Sequence, residues 1–143
     1  MRIQGLFVLF VLLVLGACTG TQKNANNKDI HCRNFVEDRT PISLLENLTF
    51  SDVKIDQNCL NVTVNAPYCD INTSDFDLVW NGVATRSLPP QINMSLRLST
   101  KKSCKKTNTF HLKYNLSALR KFNSKGKIYI TLNGYNKRIE YTY

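Results

Sequence analysis

The stretch Cys59-Leu-Asn-Val-Thr-Val-Asn-Ala-Pro-Tyr-Cys69 decides the fold, and Asp75-Phe-Asp-Leu-Val-Trp80 repeats its pattern after a polar loop. The alternating apolar positions are Leu60, Val62 and Val64 in the first stretch and Phe76 and Leu78 in the second. Apolar residues at every second position are typical of a strand with one buried and one exposed face. Cysteines bracket the first of these strands. The sequence therefore predicts a half-buried sheet in an oxidising compartment.

Strand-like segments of the same kind recur along the chain. They cover residues 49–56, 83–87, 91–100, 109–115, 127–132 and 135–143. The pair Asn81-Gly82 predicts a type I′ turn, because Asn and Gly tolerate positive φ angles. A second pair, Asn133-Gly134, predicts a hairpin. Pairing across the second turn is expected to place Ile128 beside Ile139. Residues 41–47 and 116–122 are the candidates for a single turn of helix.

Seven or eight short strands without a long amphipathic helix predict an all-β fold. We expect an antiparallel β-sandwich of the immunoglobulin-like kind, with a small barrel as the alternative. Trp80 invites comparison with the core tryptophan of immunoglobulin domains, although the cysteine spacing does not follow that family.

Residues 1–17 have the features of a signal peptide. Arg2 supplies a positive charge, and the apolar run at 6–15 is shorter than the roughly 20 residues that span a membrane. Leu15-Gly16-Ala17-Cys18 resembles the lipobox of bacterial lipoprotein signal peptides. The resemblance implies a Cys18 that carries a diacylglyceryl group and palmitate, and each buried CH₂ of such chains contributes about 0.8 kcal/mol to anchoring. An ordinary secretory signal, cut after Cys18 or Gly20, is the alternative.

The remaining chain divides into a tether and one domain. Residues 18–29 contain the acylated cysteine and almost no other apolar side chain, so we expect a flexible tether. Residues 30–143 are expected to form a single disulfide-bonded β domain, since about 115 residues is a usual size for one domain.

Four cysteines remain in this domain, namely Cys32, Cys59, Cys69 and Cys104. An even set behind a signal peptide indicates two disulfides, with three possible connectivities. We favour Cys69–Cys104 with Cys32–Cys59, because each bridge then ties a loop or strand end to a distant segment. A zinc site usually contains a C-x₂-C pair, which this chain lacks, so no metal site is expected.

The net charge of +9 is unevenly distributed. Residues 18–80 carry five basic and nine acidic side chains, whereas residues 81–143 carry thirteen basic and one acidic. The lysine cluster around Cys104 consists of Lys101, Lys102, Lys105 and Lys106. It is a candidate patch for an anionic partner such as lipid headgroups, lipopolysaccharide or a polyanionic glycan; the alternative is a solvated loop that keeps the protein soluble. Lysine predominates and no aromatic residue is interleaved, so we do not expect nucleic-acid binding.

Residues 60–119 resemble small, uncharacterised bacterial lipoproteins of the Bacteroidetes type. The shared features are Val62, Val64 and Cys69, the Phe76-x-Leu78-x-Trp80 strand, Ser87-Leu88-Pro89, the Leu96-x-Leu98 strand, Cys104, and Tyr114-Asn-Leu-Ser-x-Leu119. The resemblance implies a Cys69–Cys104 bridge and a cell-envelope location, and it supplies no activity. Relatives often carry Gly-Gly before the first of these cysteines, a His after it and an Asp before the second. This chain has Pro67-Tyr68, no such His, and Ser103 instead, so no role of that His transfers.

Catalytic residues do not stand out in this sequence. His111 lies between apolar residues on a predicted exposed face, and His31 lies beside Cys32 near the tether. Neither histidine has an evident nucleophile or acid as partner, so we expect no enzyme, no cofactor and no small-molecule substrate. Three aspartates follow Cys69, at Asp70, Asp75 and Asp77; they are weighed as Ca²⁺ ligands, but we favour their serving to cap and solubilise a loop.

Five N-glycosylation sequons begin at Asn47, Asn61, Asn72, Asn93 and Asn115. They support one alternative, a secreted eukaryotic or viral glycoprotein that acts as a ligand or immune modulator. An inhibitor of a secreted hydrolase is a further alternative. The main expectation is a non-catalytic lipoprotein held on a bacterial membrane, preferably the outer membrane. It is expected either to be structural in the envelope or to bind an anionic envelope component or a protein.

Overall fold

Two β-sheets make up most of the structure. The computed structural model describes residues 32–41, 45, 47–99, 102–122 and 126–143. In this part of the chain the strands are β1 (Arg33–Asn34), β2 (Val36–Glu37), β3 (Thr49–Asp56), β4 (Cys59–Tyr68), β5 (Phe76–Ala84), β6 (Gln91–Leu98), β7 (Ser103–Asn115), β8 (Lys127–Leu132) and β9 (Ile139–Thr142). The 3₁₀ helices are Thr73–Asp75 and Ser117–Phe122. The second of them confirms the predicted helical turn at 116–122, whereas the candidate at 41–47 lies largely outside the described residues.

The strands pair in two open sheets that pack face to face. Sheet A has the order β1-β7-β4-β3, and sheet B has the order β2-β5-β6-β8-β9. The prediction of an all-β sandwich is confirmed, and neither sheet closes into a barrel. Three pairs are parallel, namely β1 with β7, β2 with β5, and β6 with β8, so both sheets are mixed rather than purely antiparallel.

The core lies between the sheets and contains the alternating apolar residues. Leu60, Val62 and Val64 are at most 1% exposed, while the residues between them on β4 are half-buried. Sheet B contributes Trp80 and Met94, which are equally buried. Burying one large apolar side chain contributes about 1.5–3 kcal/mol, so the period-two pattern of the sequence fixes which faces meet.

Strand β4 lies between β7 and β3 and runs from one end of sheet A to the other. Its first residue, Cys59, pairs with Asn115 of β7, and its last residue, Tyr68, pairs with Ser103. Ten residues of strand span roughly 30 Å. The start of β7 and the start of β4 therefore lie at opposite ends of sheet A.

The predicted turn at Asn81-Gly82 is wrong, because β5 continues through both residues to Ala84. The pairing register shifts between Trp80 and Ala84, which is typical of a β-bulge. Gly82 has a φ of 78°, so the pair is accommodated as a local bend rather than a reversal. The chain reverses at residues 85–90 instead.

The second Asn-Gly pair does lie in a connection between antiparallel strands. Ile130 pairs with Ile139 and Ile128 pairs with Tyr141, so the predicted pairing of Ile128 with Ile139 is wrong by two residues. The reason is that the chain leaves the ladder after Leu132. Tyr135 packs against Phe50 instead, with the ring centroids 5.6 Å apart.

Two disulfides join distant segments. Cys32 is bonded to Cys59, and Cys69 is bonded to Cys104, which are the favoured pairings. After Cys32 the chain adds β1 to sheet A and then β2 to sheet B. Phe35, between these strands, packs edge-on against Trp80 at a centroid distance of 6.2 Å. The N-terminal segment therefore crosses from one sheet to the other.

Candidate functional site

The described members of the lysine cluster lie at one end of sheet A, here called the lysine end. Lys102 directly precedes β7, and Lys105 and Lys106 belong to its first residues. All three side chains are exposed. Lys101 lies outside the described residues.

A bulge in β7 presents Lys105 and Lys106 to solvent. Ala66 of β4 pairs with Asn108, but Tyr68, only two residues later, pairs with Ser103. Residues 104–107 therefore face Pro67 alone. Because proline has no N–H to donate, it cannot continue the ladder at this position. Pro67 is visible in the sequence, but its effect on the ladder depends on which segment pairs with it.

Lys102 differs from the other two lysines because it has an acidic partner. Its ammonium forms an ion pair with the carboxylate of Asp70, and this hydrogen bond raises the pKa of Lys102. The neighbouring backbone is fixed as well, since Cys69 N–H donates to the Lys102 carbonyl at 2.9 Å. Within the described part of the chain, no acidic side chain pairs with Lys105 or Lys106. Of the three described lysines at this end, two are thus uncompensated and one is compensated.

The three aspartates that follow Cys69 do not converge on one point. Asp70 pairs with Lys102, and Asp77 lies 3.3 Å from Arg97. Asp75 accepts a 2.6 Å hydrogen bond from the backbone N–H of Asn72 and so closes the first 3₁₀ turn. No group of three or more His, Cys, Asp or Glu side chains able to hold a metal occurs among the residues the structure describes.

His111 lies on the outer face of sheet A, as its place in the alternation predicts. Its Nδ1 is 3.1 Å from Thr63 Oγ1 on the paired strand β4. Six polar or charged side chains line a shallow groove of about 420 Å³ around it, together with parts of Val62 and Leu112: Asp52, Lys54, Asn61, Thr63, His111 and Lys113. The nearby Asp52 pairs with Lys54 at 3.3 Å rather than with the imidazole. His31 lies outside the described residues.

A second groove, of about 220 Å³, lies on the outer face of sheet B and was not predicted from the sequence. Its polar lining includes Arg39, Asn81, Asn93, Ser95 and Asn133. Ser95 is only 7% exposed and accepts a 2.5 Å hydrogen bond from Asn133 Nδ2. No motif links these residues, because they come together only when β5 pairs with β6 and the loop after β8 folds beside them.

The five sequon asparagines differ in accessibility. Asn47, Asn72 and Asn93 are exposed. Asn61 is half-buried and donates to the Cys59 carbonyl at 3.2 Å. Asn115, also half-buried, accepts a 2.9 Å hydrogen bond from the Ser117 N–H.

The two disulfides indicate a protein that folds outside the reducing cytoplasm. In the described part of the chain, no helix combines the length and the apolar character needed to cross a bilayer. Cys18 and residues 1–17 lie outside that part. Comparison of the chain with protein-family models, curated proteins and solved structures finds no match.

Proposed function

We propose that this protein is a non-catalytic cell-envelope lipoprotein, acylated on Cys18, whose β-sandwich binds a polyanion at the lysine end. The lipobox-like Leu15-Gly16-Ala17-Cys18 and the resemblance of residues 60–119 to bacterial lipoproteins support the anchor. The two disulfides support an oxidising location.

One observation carries the binding role. Lys105 and Lys106 protrude on the bulge opposite Pro67 without an acidic partner among the described residues. They lie at the end of β4 that is roughly 30 Å from Cys59 and its partner Cys32. A tether that enters at Cys32 therefore leaves the lysine end free to face away from the anchor.

The chemistry of this end favours a polyanionic glycan as partner. Lysine ammonium groups act as compact point charges, which attract carboxylate, sulfate or phosphate groups without reading their geometry. Exposed charges are screened beyond about 8 Å at physiological ionic strength, so such binding weakens steeply with salt. The proposal accordingly expects salt-sensitive binding with little dependence on the sugar sequence.

Binding of soluble polyanions tests the proposal directly. The mature protein is titrated with dextran sulfate and with uncharged dextran at low and physiological salt. We expect binding to dextran sulfate alone, and we expect the variant Lys105→Glu/Lys106→Glu to lose most of it. The control variant Lys113→Glu/Lys137→Glu changes the net charge equally at exposed positions elsewhere and should retain binding. Equal losses in both variants would show that only net charge matters and would contradict a site at the lysine end.

The secreted glycoprotein is the second candidate, because three sequon asparagines are exposed. Mass spectrometry of the mature protein separates the two. The lipoprotein carries acyl chains on Cys18, and palmitate labelling is abolished by Cys18→Ala. The glycoprotein instead shows a mass shift that a glycosidase removes.

A further inference from the structure

Two large apolar side chains are strongly exposed in the described part of the chain. Val83 is 63% exposed and Leu88 is 76% exposed. They lie close in sequence, at the end of β5 and in the connection to β6. A single exposed leucine is ordinary on a protein surface, so the meaning of this pair depends on what holds it and what surrounds it.

The β5–β6 loop, residues 85–90, is held in place by its own hydrogen bonds. Thr85 N–H donates to the Gln91 carbonyl at 2.9 Å, and Gln91 N–H donates to Thr85 Oγ1 at 2.8 Å. Ser87 Oγ lies 2.6 Å from Thr85 Oγ1 and donates to the Pro89 carbonyl at 2.8 Å. Leu88 therefore projects from an ordered loop and loses little conformational freedom on binding.

This loop lies at the end of the sandwich opposite the lysine end. Strand β6 ends at Leu98 and β7 begins at Ser103, so the Leu98 end of sheet B adjoins the lysine end. Residues 85–90 are at the other end of β6. The Cys32–Cys59 bridge is likewise remote from the lysines along β4. On sheet B, however, Arg33 donates to the carbonyls of Thr73, Ser74 and Phe76 at the start of β5, so Cys32 lies between the two ends of the domain.

Aromatic contacts connect the loop end to a group of cations. Trp80 Nε1 donates to the Val83 carbonyl at 3.0 Å, and its ring packs on Phe122 at a centroid distance of 4.8 Å. Lys121 Nζ lies 4.9 Å from the centre of the Phe122 ring. Beside Gly82 lie the exposed side chains of Glu37 and Arg39. Further exposed cations near these contacts are Arg86, Arg120 and Lys121. Within the described residues none of them pairs with an acidic side chain.

Exposed apolar side chains flanked by basic ones suit the interface of an anionic bilayer. The apolar groups enter the boundary between headgroups and acyl chains, while arginine and lysine remain at the phosphates.

We propose that the loop end is a membrane-contact surface, here called the seat. Val83 and Leu88 insert there into the interfacial layer of the anionic phospholipid surface that holds the anchor. This inference rests on the lipid anchor of the proposed function. It fixes the orientation of the domain, with the lysine end directed away from the bilayer.

Tryptophan quenching by brominated lipids tests the seat. The acylated mature protein is reconstituted in phosphatidylglycerol-containing vesicles as Leu88→Trp and, as the matched control, as Lys106→Trp. The signal of Trp80 is measured in the parent protein and subtracted. We expect the tryptophan at 88 to lose most of its fluorescence to brominated lipid and to shift to shorter wavelength. The tryptophan at 106 should stay unquenched.

Flotation of the vesicles in the same samples separates the two proposals. Protein that fails to float contradicts the anchor and the seat together. Protein that floats while position 88 stays unquenched contradicts the seat alone, and quenching at 106 instead would show that the lysine end faces the bilayer. If the tryptophan at 88 is quenched equally on neutral phosphatidylcholine vesicles, the three cations do not contribute to binding the anionic surface.

Discussion

Arg97 Nη1 lies 2.5 Å from Asp38 Oδ2, and the same guanidinium reaches Asp77 Oδ2 at 3.3 Å. Asp77 belongs to β5 and Arg97 to β6, while Asp38 directly follows β2. One side chain on the outer face of sheet B thus connects three neighbouring segments. Asp38 also accepts hydrogen bonds from the backbone N–H and the hydroxyl of Thr40, at 2.9 and 2.8 Å.

The stability of the protein should depend on the ionisation of Asp38. Hydrogen bonds from Thr40, followed by the one from Arg97, lower its pKa from 3.8 to about 2. The ionised carboxylate therefore stabilises the folded state fully above pH 4, and this contribution is lost as the pH falls from about 4 through 2. We expect Asp38→Asn to be less stable in urea at pH 7 and to show a flatter pH dependence between 4 and 2. The control Asp56→Asn, an exposed carboxylate at the end of β3, should match the parent; equal slopes for parent and Asp38→Asn would contradict the assignment.

Gly82 should resist substitution because of its backbone conformation. Its φ is 78°, and a Cβ added there would lie 2.8 Å from Glu37 Oε1 and 3.3 Å from Arg39 Nε. Both atoms are the ends of flexible side chains and can move aside, so the cost is mainly that of the left-handed conformation, about 1–2 kcal/mol. Chemical denaturation should show this loss for Gly82→Ala. Gly82→Asn should lose less, since asparagine tolerates this region; a larger loss for asparagine would assign the cost to side-chain crowding instead.

The two disulfides should contribute nearly equal stability. The bonded cysteines are separated by 27 residues in one bridge and by 35 in the other. In the chain-entropy description, loops of these lengths differ by only about 0.2 kcal/mol, against a typical contribution of about 2–4 kcal/mol each. We expect Cys32→Ser/Cys59→Ser and Cys69→Ser/Cys104→Ser to lower the free energy of unfolding by similar amounts in urea. A several-fold difference would show that native-state contacts at one bridge outweigh loop closure.

Alternation along the chain was sufficient to predict the sheet faces and most strands. It works for β4 and β6, where each inward residue is apolar and the core is formed by many of them. It fails for β1 and β2, because two residues are too few to show a period. Their parallel pairing depends on Cys32 being fixed to Cys59 and on Phe35 packing against Trp80, which are contacts between distant segments.

The lysines of the candidate site could be predicted from the sequence, but which of them has an acidic partner could not. The lysine cluster is visible in the sequence, and its charges follow from residue type. That Asp70 compensates Lys102 follows from a bridge and a backbone hydrogen bond that bring residues 69 and 102 together. The exposure of Lys105 and Lys106 follows from the pairing of β7 with the strand that contains Pro67. Both depend on partners that are more than 30 positions away.

The bond between Cys32 and Cys59 also determines how the domain responds to mechanical tension. A pull applied through the chain before Cys32 passes through the covalent bridge directly into β4, which is hydrogen-bonded to a neighbour on each side. This covalent path bypasses the two-residue strands β1 and β2. Tension at Cys32 is therefore opposed by the hydrogen bonds of a ten-residue central strand for as long as the bridge stays oxidised.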